Sequence, residues 1–200
     1  MANLIVTAGA NRVLSLDLHA PAIEGFFDIP VDHLRATPLL AERIKRSGES
    51  DLVAVSPDAG GVPRADLFRT RFRAPMAIIS KRHPEPDATE TLEMVGDVEG
   101  KLAVIVDDMI STGGTLVAAA DLLQRRGASR IITAATHGIF AGDALDLIGK
   151  SAIEKVYVTD SLPLPAGADL KMVEVVSVAP MLAEAIMRIH KDLSISALFS

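Results

Sequence analysis

Asp107 and Asp108 stand side by side at the end of an apolar run, and the hydroxyl- and glycine-rich turn Ser111-Thr112-Gly113-Gly114-Thr115 follows almost at once. The full segment, Val104 to Thr115, reads V-I-V-D-D-M-I-S-T-G-G-T. Its pattern predicts a strand, a tight turn and then a helix over Leu116 to Arg126. That order makes an anion site, because the turn's N–H groups and the helix N-terminus aim at one point. Gly113 and Gly114 are expected at positive φ, where the backbone can approach a ligand closely. Ser111, Thr112 and Thr115 add hydroxyl donors. A phosphate monoester fits such a pocket. The two carboxylates cannot bind phosphate themselves and suit sugar hydroxyls, a metal, or both. Neither G-x-x-x-x-G-K-[ST] nor G-x-G-x-x-G occurs in the chain, which excludes the two commonest phosphate loops. A lone Asp-Asp could be a strand cap and a lone Ser-Thr-Gly-Gly an ordinary turn. The twelve residues together favour the anion site.

Three other groups could share that chemistry. Asp17 and His19 flank Leu18. Strand alternation would put both on one face, where a carboxylate and an imidazole could hold a metal-bound phosphate. A strand-end aspartate beside an exposed histidine is the alternative. Asp58 lies in a tight Pro-Asp-Ala-Gly-Gly turn, and its plainer role is to cap a backbone N–H. Lys81, Arg82 and His83 open a polar, proline-punctuated stretch running to Glu90. Such a stretch is expected to be mobile, as a basic lid over phosphates or as a solvated surface run. His137 and Phe140 are given no role.

The elements that must position these groups alternate along the chain. Expected strands are Arg12–Asp17, Leu52–Ser56, Met76–Ser80, Leu102–Val106, Arg130–Ala135, Lys155–Thr159 and Met172–Val176. Expected helices are Pro38–Arg46, Val62–Phe72, Leu116–Arg126, Asp143–Ile148 and Pro180–His190, with Gly127 ending the third. Alternation of this kind implies an α/β fold, mainly a parallel twisted sheet flanked by helices. Ligands of such sheets bind beyond the carboxyl ends of strands. Asp17 with His19, Asp58, Lys81 and the Asp107–Asp108 pair each fall at such an end.

Composition agrees with an enzyme of the cytoplasm. The 200 residues are 49% hydrophobic, enough for a sheet covered on both faces. There is no cysteine, hence no disulfide and no thiolate metal site. A net charge of −6 speaks against a nucleic-acid surface. Met1 to Ala10 does not read as a signal peptide. No stretch approaches the roughly 20 apolar residues of a membrane span.

The Val104–Thr115 segment resembles the phosphoribosyl-diphosphate (PRPP) loop of the type I phosphoribosyltransferase fold. Other segments resemble the PRPP synthases (ribose-phosphate diphosphokinases) in particular. These are Leu16 to Pro30 (L-D-L-H-A-P-A-I-E-G-F-F-D-I-P), Val55 to Gly61 (V-S-P-D-A-G-G), Ile79 to His83 (I-S-K-R-H), Ala135 to Phe140 (A-T-H-G-I-F) and Met181 to Ile189 (M-L-A-E-A-I-M-R-I). The resemblance runs through essentially the whole chain but reaches only the C-terminal two-thirds of a synthase. It implies residues 1–30 as a remnant of the family's N-terminal domain and 31–200 as a phosphoribosyltransferase-like domain.

The implied reaction moves a diphosphoryl group from MgATP to ribose 5-phosphate, giving PRPP and AMP for nucleotide biosynthesis. By resemblance, Ser111, Thr112, Gly113, Gly114 and Thr115 hold the 5-phosphate, and Asp107 and Asp108 hold the ribose hydroxyls. Asp58 contacts the ribose. Asp17, His19 and Asp58 serve Mg2+, and His19 touches the metal-bound triphosphate. Lys81, with Arg82 and His83, stabilises the transferred group. The expected partners are these small molecules and a second copy of the chain or a full-length synthase, with no nucleic acid and no membrane.

Three departures qualify the resemblance. His83 stands where the catalytic loop usually has its second cation. Ala22, Glu24 and His33 replace the polar set of an allosteric phosphate site. The adenine-binding N-terminal region has no counterpart. Two further readings therefore stand beside the synthase, a non-catalytic regulatory subunit that binds ribose phosphates and a phosphoribosyltransferase.

Overall fold

The computed structural model describes residues 1–82, 91–169, 171–195 and 198, with the backbone alone at Lys81, Arg82 and Thr91. It divides into two compact units, Thr37–Ser177 and Met1–Ala36 with Val178–Ser200. The division thus falls at Ala36, beyond the residue-30 boundary expected from resemblance.

In the smaller unit, helix α1 (Ala2–Thr7) is followed by strands β1 (Val13–Leu16) and β2 (Val31–Leu34), which pair in parallel. A 3-10 turn over Pro21–Phe26 joins them. Leu34, Ala185 and Ile195 form its core with Leu14, Leu16, Met181, Leu182 and Ile189.

The larger unit runs α2 (Thr37–Arg46), β3 (Leu52–Ser56), α3 (Val62–Phe72), β4 (Met76–Arg82), β5 (Thr91–Val95), β6 (Leu102–Ile110), α4 (Gly114–Arg125), β7 (Arg130–Gly138), α5 (Ala144–Gly149), β8 (Ile153–Thr159) and β9 (Val173–Val176). Helix α6 (Ala179–His190) belongs to the smaller unit. Seven strands form one sheet in the order β5-β4-β3-β6-β7-β8-β9. Every neighbouring pair is parallel except β4 with β5.

Both faces of the sheet's central strands are buried, which is why β3 and the start of β6 read as continuous apolar runs rather than alternating ones. Val53, Val55, Ala103 and Ile105 face α4 and α5, packing with Leu116, Ala120, Leu123 and Ile148. Leu52, Ala54, Leu102 and Val104 face the opposite way, with Leu40 and Ile44 of α2 and Phe68 of α3. The period-2 geometry of a strand sorts adjacent residues into these two cores.

The α/β architecture expected from the sequence is the one observed. Three elements were not expected. Helix α1 buries no residue, so it lacks the apolar stripe that signals a helix. Strand β2 is four residues long and only Leu34 is fully buried. Strand β5 is an antiparallel edge strand carrying Glu93. Gly127 ends α4 as expected, with φ +83°. Its N–H donates to Gln124 O and that of Ala128 to Leu123 O, the paired bonds of a Schellman cap.

Candidate functional site

Strand β3 sends its crossover helix α3 toward β4, whereas β6 sends α4 the other way, toward β7. Neighbouring strands whose connections diverge leave a crevice at their carboxyl ends, where open α/β sheets bind ligands. The register pairs Val55 with Ile105, so the turn after Ser56 starts beside the stretch of β6 that carries Asp107 and Asp108.

The β3 turn is tightly built. Ser56 Oγ donates to Asp58 O at 2.6 Å, and Gly61 N–H donates to Asp58 Oδ1 at 2.8 Å. A Cβ at Gly61 would lie 2.7 Å from Ser56 Oγ, so a side chain there would force the Ser56 hydroxyl out of its bond to Asp58 O. Asp58 is exposed and caps the turn, the plainer of its two roles by sequence.

Asp107 and Asp108 were expected just past a strand ending at Val106. Strand β6 instead continues to Ile110, and Asp107 pairs with Ala135 of β7. The ladder extends because β7 also runs on, to Gly138. Asp108 is buried and Asp107 half-buried. Asp107 Oδ1 accepts the Asp108 N–H at 2.8 Å. Arg64, in the first turn of α3, places Nη1 3.4 Å from Asp107 Oδ1 and Nη2 3.7 Å from Asp108 Oδ1. Burial, with the neighbouring Asp108, pushes the Asp107 carboxyl up to about 7, and Arg64 opposes that rise.

The turn over 111–113 enters α4 with its helix N-terminus uncapped by any side chain. Ser111, Thr112, Gly114 and Thr115 are exposed. Gly113 is buried at φ +79°, and a Cβ there would meet Ile148 Cγ1 at 3.3 Å. Gly114 does not share that constraint. It is the first residue of α4, its φ is not positive, and a Cβ there would meet open space. The expectation of two left-handed glycines therefore holds for Gly113 alone, because the helix begins one residue later.

Lys81 and Arg82 were expected to open a mobile loop. Their backbone instead continues β4, paired with Leu92 and Thr91 of β5. His83, and the stretch to Glu90, lie outside the described residues.

In the smaller unit, β1 ends at Leu16 and Asp17 turns to φ +40°. The extended segment that would align Asp17 with His19 is thus interrupted. Asp17 is buried, its Oδ2 accepting the Ala36 N–H at 2.7 Å, while His19 is exposed. His33 Nε2 accepts the Leu18 N–H at 2.8 Å, and His33 Nδ1 lies 2.5 Å from Glu24 Oε1. With Nε2 accepting, Nδ1 is the nitrogen that donates to Glu24 Oε1. Among the described residues, no three histidine, aspartate or glutamate side chains gather closely enough to hold a metal ion by themselves. No helix among them is long and apolar enough to cross a membrane.

Sequence reasoning missed Arg64. A cation soon after a Gly-Gly turn is a weak signal until β3 and β6 are known to be neighbours. His137, given no role, lies at the end of β7 with Nδ1 2.9 Å from Ser161 Oγ.

Comparison with known proteins gives this geometry a context. The family model described as "Phosphoribosyl synthetase-associated domain" matches residues 78–200. The chain is 51% identical over 201 residues to the ribose-phosphate pyrophosphokinase of Aquifex aeolicus, covering all of this chain and 64% of that protein. It is 47% identical over 199 residues to that of Bacillus subtilis, covering 100% of this chain and 63% of that one. The chain thus spans less than two thirds of the length of these relatives. The crystal structure of phosphoribosylpyrophosphate synthetase from Mycobacterium smegmatis superposes with a TM-score of 0.87 at 40% identity, over 96% of this chain and 62% of that one. The Giardia lamblia APRTase complexed with 9-deazaadenine, at 15% identity and a TM-score of 0.51, shares the fold over 71% of this chain and 76% of its own.

Proposed function

This chain belongs to the family of the phosphoribosyl synthetase-associated domain, and we propose that its larger unit forms the ribose-phosphate site of a ribose-phosphate diphosphokinase. One observation carries the reading. Where β3 and β6 diverge, the single segment running from β6 into α4 carries a helix N-terminus uncapped by any side chain, three hydroxyl residues and a pair of adjacent carboxylates. The first two suit a phosphate and the third suits vicinal hydroxyls, which together describe a pentose phosphate.

In the proposed reaction the 1-hydroxyl oxygen of ribose 5-phosphate attacks the β-phosphorus of ATP. The bond from that phosphorus to the oxygen bridging it to the α-phosphate breaks, AMP leaves with that oxygen, the hydroxyl proton passes to solvent, and PRPP is formed. The chain's part is positioning and charge neutralisation, which dominate phosphoryl transfer. Ser111 to Thr115 fix the 5-phosphate through backbone N–H groups and hydroxyls. Asp107 and Asp108 accept the 2- and 3-hydroxyls, turning the 1-hydroxyl outward. Lys81, with Arg82 and His83, is the proposed source of positive charge for the transferred group. In the smaller unit, exposed His19 is the proposed contact for metal-bound phosphates.

A magnesium ion would neutralise charge on the triphosphate. It keeps waters and substrate oxygens as ligands and asks for only one or two carboxylates. The exposed Asp58 carboxylate fits that demand without a protein cage, while Asp17, buried and bonded to Ala36, fits it less well.

The test has two arms. Calorimetry should show ribose 5-phosphate binding to the purified chain without ATP. A coupled assay should then follow AMP release from ATP and ribose 5-phosphate, with and without a full-length synthase. Absence of ribose 5-phosphate binding would refute the site. Binding without turnover, combined with an altered rate of the full-length partner, would favour the regulatory-subunit reading.

A further inference from the structure

Arg64 is an under-coordinated cation. Its side chain is 13% exposed, yet its two terminal nitrogens stand 3.4 and 3.7 Å from Asp107 and Asp108. Charge-assisted pairs normally close to about 2.7–2.9 Å. Arginines elsewhere in the chain do so: Arg12 lies 2.5 Å from Asp32, and Arg130 2.7 Å from Glu154. The Arg64 Nε–H is buried and has no hydrogen-bond partner among the described residues. Buried donors without acceptors are uncommon in folded proteins and call for a reason.

The surroundings supply one. Two adjacent carboxylates repel each other unless a cation stands nearby. A guanidinium closed bidentately on them would occupy lone pairs that a ligand's hydroxyls need. Set back, it makes one long hydrogen bond, Nη1 to Asp107 Oδ1 at 3.4 Å, and closes bidentately on neither carboxylate. The turn before α3 fixes that set-back. A side chain at Gly61 would displace the Ser56 hydroxyl, and the Arg64 N–H donates to Gly61 O at 3.0 Å.

We infer that Arg64 is a positioning and specificity-determining residue, which holds Asp107 and Asp108 as a pair of acceptors for two vicinal hydroxyls without closing bidentately on either. The inference rests on the ribose-phosphate reading of this crevice and assigns its sugar selectivity. The phosphate loop and the sugar acceptors are then separable, because the ion pairs of Arg64 run to the carboxylates and not to residues 111–115.

Calorimetry on the 200-residue chain tests this with three probes: ribose 5-phosphate, 2-deoxyribose 5-phosphate and inorganic phosphate. The parent chain should prefer ribose 5-phosphate over its 2-deoxy analogue. Arg64→Gln should weaken ribose 5-phosphate binding at least tenfold, bring the two sugar phosphates to within about twofold of each other, and leave inorganic phosphate within twofold. Arg64→Lys, which keeps one charge but cannot span both carboxylates, should fall between parent and Gln; it also carries the test if the Gln variant does not fold. Unchanged sugar binding in either variant overturns the inference. So does a parallel loss of sugar and inorganic phosphate, which would mean that Arg64 merely supports the fold. A parent chain that binds inorganic phosphate but no ribose 5-phosphate would sink the ribose-phosphate reading itself.

Discussion

Replacing Asp107 with asparagine should stabilise the ligand-free protein at alkaline pH. The Asp107 carboxyl is raised from 3.8 to about 7, first by burial and then by Asp108. A carboxyl raised on folding favours the folded state while protonated. That contribution is complete below the unfolded value and is lost as pH climbs through about 7. A shift of roughly three units corresponds to a ceiling of about 4 kcal/mol. Asp108 contributes part of that rise, so about 2 kcal/mol is the expectation for this residue alone. The new amide would keep an Oδ1 acceptor for the Asp108 N–H, which now bonds Asp107 at 2.8 Å. Asp107→Asn should therefore match the parent near pH 4 and exceed it at pH 8, with Tm higher by about 4–8 °C for a chain of this size. The assay is urea and thermal unfolding of both proteins across pH 4–8, without ligand. A variant less stable than the parent at pH 8, or a stability difference that does not change with pH, would refute the reasoning. The same variant should bind ribose 5-phosphate more weakly, since a charged acceptor is worth about twice a neutral one.

The two glycines of the phosphate loop should behave differently. Gly113→Ala should impair phosphate binding and lower stability, because its φ is +79° and Ile148 is close, whereas Gly114→Ala should leave stability within about 0.5 kcal/mol by urea unfolding. Thr115→Ala combined with Gly113→Val should abolish ribose 5-phosphate binding by calorimetry; unchanged affinity would rule the loop out. His33→Ala should cost about 1–3 kcal/mol, since it removes the partner of both the Leu18 N–H and the Glu24 carboxylate, a loss read by chemical unfolding. Inorganic phosphate should not activate AMP release in steady-state kinetics, because the Glu24 carboxylate bonded to His33 repels an anion there, and sigmoidal activation would contradict this. Any AMP release by the isolated chain should fall in Lys81→Ala and stay below the ordinary range of about 1–10³ s⁻¹.

What was legible in the sequence follows from periodicity. Leu52–Ser56 and Val62–Phe72 have the same limits in sequence and structure. One is an unbroken buried run and the other is bounded by Gly-Gly and Arg73. Strands β6 and β7 run three or four residues past their expected ends. Those ends carry Asp107, Asp108 and His137, polar residues that read as loop until a neighbouring strand supplies their backbone partners. Edge strand β5 was missed for a different reason. Its pairing with β4 is antiparallel and local, and Thr91-Leu92-Glu93-Met94-Val95 has no continuous apolar run. In the site, the loop and carboxylates were visible because their residue types name their chemistry. Arg64 was invisible because its meaning lies in the adjacency of β3 and β6, and that adjacency exists only in space, through ladder pairs such as Leu52 with Leu102.

The loop between β6 and α4 is held from several sides before any ligand arrives. Ile110 O accepts N–H bonds from Ile139 and Phe140, Ser111 O accepts from Ala141, and Gly113 O accepts from Val117. Ordering a flexible residue costs about 1–2 kcal/mol. In this loop that cost is incurred when the protein folds, and would not be incurred again by a phosphate binding as proposed. The phosphate end of a ligand can then dock as a rigid body and act as a fixed pivot. On the proposed ribose-phosphate reading, the sugar would swing into register from that anchor, its 1-hydroxyl tracing an arc whose radius is the length of the pentose.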